Sequence, residues 1–468
     1  MGSGAATGSG GLQGRPNEGG RVPIRIRLEW GNAAPMKGTI KFLFENSLFL
    51  VIGAVVALLW ANLDHESYEH LVHFELFESS MIGQLPHGEH AEGEAEQAEG
   101  EESAEHSEEG EHPMRVVTLH YLVNDILMAL FFAMAGKEVW EATLPGGPLS
   151  NPRKAATPLI ATFGGMAGPA GLYLLGAALL GSMGTLGKGW AIPCATDIAF
   201  SYMVARIVFG NGHPAIPFLL LLAIADDALG LIILAVFYPQ EEIKLVWMLL
   251  AVGAMVLGLI FRRMRIRSFW PYLLVCGPLS WFGFALSGIH PALGLLPIIP
   301  VMPHGHVDTG LFDWSQLERH DTLTAFEHWW KNPVELILLA FGLLNAGVEF
   351  KGFGAATGLV LVGLIIGKPL GIWVFGIIAS KGLRLGLPEG MRSVDLVVLG
   401  AAAGIGFTVA LFVASVAFSP GQIQDDAKMG ALGSFAAAIV ALVAGKVCKV
   451  EKKTIASSSS GSSGSSAH

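Results

Sequence analysis

Between about residue 40 and residue 448 the chain is a succession of apolar runs, most of them long enough to cross a bilayer, and that succession admits few folds. A helix needs roughly 20 apolar residues to span the hydrocarbon core. The runs fall at about 40–62, 114–136, 155–181, 190–208, 214–238, 243–261, 269–287, 289–303, 329–350, 355–381, 394–419 and 427–448. Lipid offers the backbone no hydrogen-bond partners, so runs of this kind are predicted to be helices. Only 15% of the residues are charged, against roughly 25% in a soluble domain. The sequence thus excludes an ordinary soluble enzyme. It predicts an all-α polytopic membrane protein with twelve transmembrane helices.

The positions of Lys and Arg support that number. If the N-terminus is cytoplasmic and every run crosses, 23 Lys/Arg fall inside and five outside. Cytoplasmic loops carry an excess of these residues, and an arrangement off by one span would scramble the asymmetry. Both termini are therefore expected in the cytoplasm. Residues 63–112 then face outward. They hold 16 Asp/Glu, seven His and no Lys or Arg, so leaving them out turns the net charge of −10 into +6. The stretch from His87 through His112 of this acidic, His-rich loop reads as a solvated linker, with a low-affinity cation collector as the alternative. The loop's His65 and His70 are five residues apart, about 140° around a helix, whereas the zinc protease motif needs four. No basic patch with interleaved aromatics points to nucleic acid.

Residues 1–35 and 451–468 read as flexible tails around one membrane domain, 36–450. The first carries no apolar stretch of the signal-peptide kind. Cys194, Cys276 and Cys448 are too few and scattered for a disulfide framework or a thiolate metal site, and read as packing residues.

Ionisable residues inside such runs are functional candidates, because an unexplained charge there costs about 2.5–3.5 kcal/mol or more. Asp226 and Asp227 lie in the middle of the run 214–238. Adjacent helical residues point about 100° apart, so one carboxylate can face a cavity while the other meets a neighbouring helix. Two close carboxylates do not both ionise easily, which makes a proton part of their chemistry. Asp197 follows Pro193 and Thr196, a poor continuous helix. A break there would free backbone groups that Asp197 and Thr196 can serve, either as caps or as part of a site. Lys368, deep in its run, calls for a carboxylate or for helix C-terminal carbonyls. The second interrupted span is Gly404-Ile-Gly406, and paired interrupted spans point to a transport site between inverted repeats. Asp125 follows Asn124 at the start of the second run. Glu335 and His290 are expected at the membrane interface.

Taken in order, Trp190-Ala-Ile-Pro193, Ala195-Thr-Asp-Ile-Ala-Phe200, Asp226-Asp227, Asn345-Ala-Gly-Val348, Gly367-Lys-Pro-Leu-Gly371, Leu387-Pro-Glu-Gly390 and Gly404-Ile-Gly-Phe-Thr408 resemble the signature segments of the NhaA-type sodium/proton antiporters. The resemblance runs from about residue 36 to 448, interrupted only by the acidic loop. It implies twelve spans in inverted repeats, of which this family is itself a type example, with two broken helices crossing at mid-membrane. It implies exchange of Na⁺ or Li⁺ for H⁺, no cofactor beyond the transported ions, and a homodimer. By motif, Asp227 matches the main cation- and proton-binding carboxylate, Asp226 the one paired with Lys368, and Thr196 and Asp197 the ion-site and charge-compensating residues of the broken helix. Asp125 matches a polar residue beside the cytoplasmic funnel. Glu138, Glu327 and His328 fall in the stretches linked to pH sensing. The dense charged run of relatives, of the Glu-Val-Lys-Arg-Glu type, reads here Glu138-Val-Trp-Glu-Ala142, without its two basic residues.

Na⁺ and Li⁺ are hard cations suited to carboxylate, hydroxyl and carbonyl oxygens. The expected mechanism is competition of cation and proton for Asp226 and Asp227, exposed alternately to the two sides. Two other functions are weighed. A sodium-coupled organic-anion symporter would need a larger polar cavity. An intramembrane aspartyl protease would pair Asp197 with Asp227, but its usual glycine-x-glycine-aspartate setting is absent.

Overall fold

The computed structural model describes residues 48–79, 83, 115–304, 321–350 and 353–452. The tail 1–35, the stretch 87–112 of the acidic loop read as a linker, and the residues after 452 lie outside the described residues. Mid-run, the apolar segments are helical, as the absence of backbone partners in lipid requires. In chain order the helices are α1 (Leu48–Leu63), α2 (His65–Val72), α3 (Leu119–Thr143), α4 (Pro152–Leu179), α5 (Met183–Cys194), α6 (Ile198–Phe209), α7 (Ala215–Phe237), α8 (Leu245–Arg263), α9 (Tyr272–Ser287), α10 (Pro291–Val301), α11 (Thr322–Asn345), α12 (Ala355–Gly382), α13 (Asp395–Ala403), α14 (Phe407–Ala417) and α15 (Gln422–Val447). Six of these are long and apolar enough to cross a membrane, and eight spans result if the bent pairs α5/α6 and α13/α14 each count as one.

The boundaries correct the sequence reading in several places. The start of the 63–112 loop is structured: α2 occupies it, and β1 (Glu75–Ser79) pairs antiparallel with β2 (Arg115–Thr118). The run expected at 114–136 therefore opens as a strand, and its helix continues to Thr143. The run 329–350 starts earlier, at Thr322, where the Asp321 side chain accepts from Thr324 N at 2.7 Å and caps the helix. The segment 289–303 is two short 3₁₀ turns, Pro291–Leu293 and Leu296–Val301. Pro291, Pro297 and Pro300 have no N–H to give, which denies it a regular α-helix.

What positions the site is the crossing of α4 on α12. A Cβ added at Gly371 would overlap the Gly164 carbonyl, and one at Gly168 the Gly367 carbonyl. Small residues are what let two helix backbones approach this closely without a hydrophobic driving force. On α12 a π turn, Gly363–Gly367, ends immediately before Lys368. Gly371→Val is expected to cost at least about 1–3 kcal/mol, the range for overpacking, and to lower the thermal unfolding midpoint in detergent. An unchanged midpoint would mean that the two helices are free to separate there.

Candidate ion-binding site

Asp226 and Asp227 stand midway along α7, and their neighbours separate their roles. Asp226 is 2% exposed and turns to α12, where Lys368 Nζ lies 2.9 Å from its Oδ2. The lysine is fully buried and also donates to the carbonyl of Cys194, the last residue of α5. One ammonium therefore joins α5, α7 and α12. The other oxygen of Asp226, Oδ1, is buried with no hydrogen-bond partner among the described residues, an acceptor left over for something else.

Asp227 is the less buried of the two. Both carboxylates line a narrow cavity of about 40 Å³, walled mainly by apolar side chains such as Phe131, Phe132, Leu234 and Val413. A volume of this kind holds a few waters.

The two broken helices meet beside this cavity. The α5/α6 pair is bent by 55° and the α13/α14 pair by 53°. Each break satisfies the other: Asp197 N donates to the Ile405 carbonyl at 2.7 Å, and the Thr196 hydroxyl to the Ala403 carbonyl at 3.2 Å. A Cβ on Gly404 would sit 2.6 Å from the Leu364 carbonyl, and one on Gly406 2.7 Å from that of Ala195. Only glycine permits that contact. Asp197 caps α6, accepting from Phe200 N at 3.4 Å, and takes the hydroxyl of Thr408 on α14. A carboxylate in that position also complements the positive end of α6.

Four residues were grouped from sequence as ion ligands: Asp226, Asp227, Thr196 and Asp197. The structure brings the first two to the cavity wall and places the other two in the helix junction, with Thr196 still in reach of Asp226. Asp197 stands at the start of α6, where it caps the helix, and is not among the cavity-lining residues. Among the described residues no set of three or more His, Cys, Asp or Glu gathers into a metal site.

The residues grouped as funnel or pH-sensing groups also divide. Lys137 is buried on α3 and bridges Glu141, at 2.6 Å, and Glu327 on α11. Glu138 is its neighbour in sequence, and His328 next to Glu327 is exposed. Asp125 does not belong with them. It lies 13 residues earlier on α3, about 20 Å along the axis. There it accepts from Gln240 Nε2 at 3.4 Å and faces His290 Nδ1 at 3.7 Å. His290 and Glu335, read from sequence as interfacial, are 2% and 8% exposed and so packed inside the protein. Sequence reasoning missed Lys137, whose signal was its i,i+4 spacing to Glu141. It also missed the reciprocal amide pair of Asn124 and Asn345, at 3.0 and 2.8 Å, which ties α3 to α11.

The profile of the family described as Na⁺/H⁺ antiporter 1 matches residues 102–445. A protein named Na⁺/H⁺ antiporter NhaA from Jannaschia sp. (strain CCS1) is 52% identical over 428 residues, covering 87% of this chain and 97% of the relative. The protein of the same name from Desulfitobacterium hafniense (strain DSM 10664 / DCB-2) is 44% identical over 414 residues, with 88% and 96% covered. That from Geobacter sulfurreducens is 43% identical over 413 residues, with 88% and 98% covered. With a profile that spans most of the sequence and relatives aligned over nearly their whole length, the chain belongs to the Na⁺/H⁺ antiporter 1 family.

Proposed function

We propose that this multi-pass membrane antiporter exchanges Na⁺, or Li⁺, for H⁺ at Asp226 and Asp227. It is a secondary transporter and not an enzyme. The observation that carries the assignment of the site is a pair of mid-helix carboxylates on one small cavity, with one buried oxygen, Asp226 Oδ1, left unspent. A hard cation takes carboxylate oxygens readily. Na⁺ bound between the two carboxylates displaces protons, and protonation expels Na⁺. Lys368 neutralises Asp226 when the cation is absent, and its own proton is a candidate part of the load. Thr196 adds an oxygen near Asp226. Alternating exposure of one site to the two sides then enforces exchange. The ions are cargo, and the reading includes no resident cofactor.

The finer architecture is part of the same proposal. All twelve apolar segments cross, in inverted repeats, with the two broken helices at mid-membrane, both termini in the cytoplasm and one transporter domain over 36–450. The bent pairs and the distribution of Lys and Arg support that reading. A homodimer is proposed from the family alone. The organic-anion symporter is disfavoured by a cavity that is narrow, apolar and lined by two carboxylates.

The test is purified protein in liposomes holding a pH dye. A Na⁺ gradient alone is expected to move protons, with no organic solute present. Proton movement that needs an added organic anion would favour the symporter.

A further inference from the structure

We propose that Cys194 and Asp226 Oδ1 together form a binding site for a soft monovalent cation, with Ag⁺ as the probe, within the ion cavity. This rests on the reading of that cavity as the Na⁺ site. Cys194 lines the cavity with Asp226 and Asp227. Its thiol is buried, with long contacts to the carbonyls of Met166 and Trp190, each at 3.5 Å, and the Ala170 backbone also in reach. The second observation is independent of the thiol: Asp226 lines the same cavity, and its Oδ1 is buried without a hydrogen-bond partner among the described residues. Cys276 and Cys448 are not among the cavity-lining residues.

A site with oxygen ligands alone prefers hard cations, and a thiolate added to it selects soft ones. The step balances simply. The S–H bond breaks and an S–Ag bond forms with the electron pair retained on sulfur, while the proton leaves as hydronium through the cavity. The carboxylates supply the negative charge that draws the cation in. Na⁺ held only by oxygens is expelled when the carboxylates take up protons. A cation bonded to sulfur is not, so Ag⁺ remains and stops the exchange cycle.

The experiment uses proteoliposomes in chloride-free medium, at Ag⁺ concentrations that leave the pH gradient of protein-free vesicles intact. Ag⁺ is expected to inhibit Na⁺-driven proton movement, excess dithiothreitol to restore it, and higher Na⁺ to raise the Ag⁺ needed for half-inhibition. Each variant is scored against its own rate without Ag⁺. Cys194→Ser is expected to raise the half-inhibiting concentration at least about tenfold, because a hydroxyl is a hard ligand. The double variant Cys276→Ser/Cys448→Ser keeps wild-type sensitivity. In that double variant, whose one thiol is Cys194, detergent-solubilised protein is expected to bind one Ag⁺ per chain, and Na⁺ to weaken that binding. Wild-type sensitivity in Cys194→Ser, no protection by Na⁺, or no Ag⁺ bound by the double variant would each overturn the inference. The Na⁺/H⁺ reading fails by a different result, the absence of exchange before any Ag⁺ is added.

Discussion

Asp227→Asn is expected to reduce Na⁺-driven proton movement in liposomes to the level of protein-free vesicles. Asparagine has nearly the shape of aspartate and keeps hydrogen-bonding capacity, so the helix and the cavity wall should persist. What disappears is the ability to carry a charge and give up a proton, and the proposed exchange consists of those two properties. Asp227 is suited to this role because it lines the cavity, while its neighbour Asp226 is held by Lys368. Thermal unfolding in detergent separates the two explanations for a dead variant. A midpoint near that of the wild type with no exchange supports the site, whereas full exchange in Asp227→Asn would remove Asp227 from it.

The second large effect concerns stability. Lys368→Met is expected to destabilise the protein by about 3–5 kcal/mol, the usual result of removing one partner of a buried pair. It strands Asp226 at 2% exposure and removes the donor to the Cys194 carbonyl that links α12 to the end of α5. The double variant Asp226→Asn/Lys368→Met should recover most of the loss, because a buried pair replaced as a unit is often close to neutral. Thermal midpoints in detergent, taken through the double-mutant cycle, measure the coupling. Additive effects of the two substitutions would mean that the 2.9 Å contact contributes little in the folded protein.

The parts of this architecture that were legible in the sequence are those that conflict with lipid. Asp226, Asp227 and Lys368 are conspicuous in any apolar run, whichever helices turn out to be neighbours. The two helix breaks were legible for the same reason, since Pro193, Gly404 and Gly406 disrupt long apolar segments. Partnership was less legible. Periodicity does not say that α4 lies on α12, so the glycine contacts that bring Lys368 to Asp226 emerge only in three dimensions. Thr196 and Asp197 had two readings at one position, and their hydrogen bonds with the Ala403 carbonyl and the Thr408 hydroxyl, both distant in sequence, tie them to the junction. The pairing of β1 with β2 was hidden by the long acidic insertion between them. The start of α11 was hidden by Glu327, His328 and Lys331, which lower its hydropathy, although Asp321 is an N-cap residue of the expected kind. Lys137 was passed over because it sits at the end of a span, where a lysine is ordinary. Its position between Glu141 and Glu327 is a matter of packing.

The central claim is that a metal ion and protons take turns on the same carboxylates. It is tested most directly with purified protein in weakly buffered detergent solution, with a pH dye and no membrane or gradient present. Adding NaCl is expected to release protons from the wild-type protein, while an equal concentration of choline chloride releases none. Asp227→Asn should release fewer or none. Saturable Na⁺ binding by the wild-type protein without any release of protons would contradict the account.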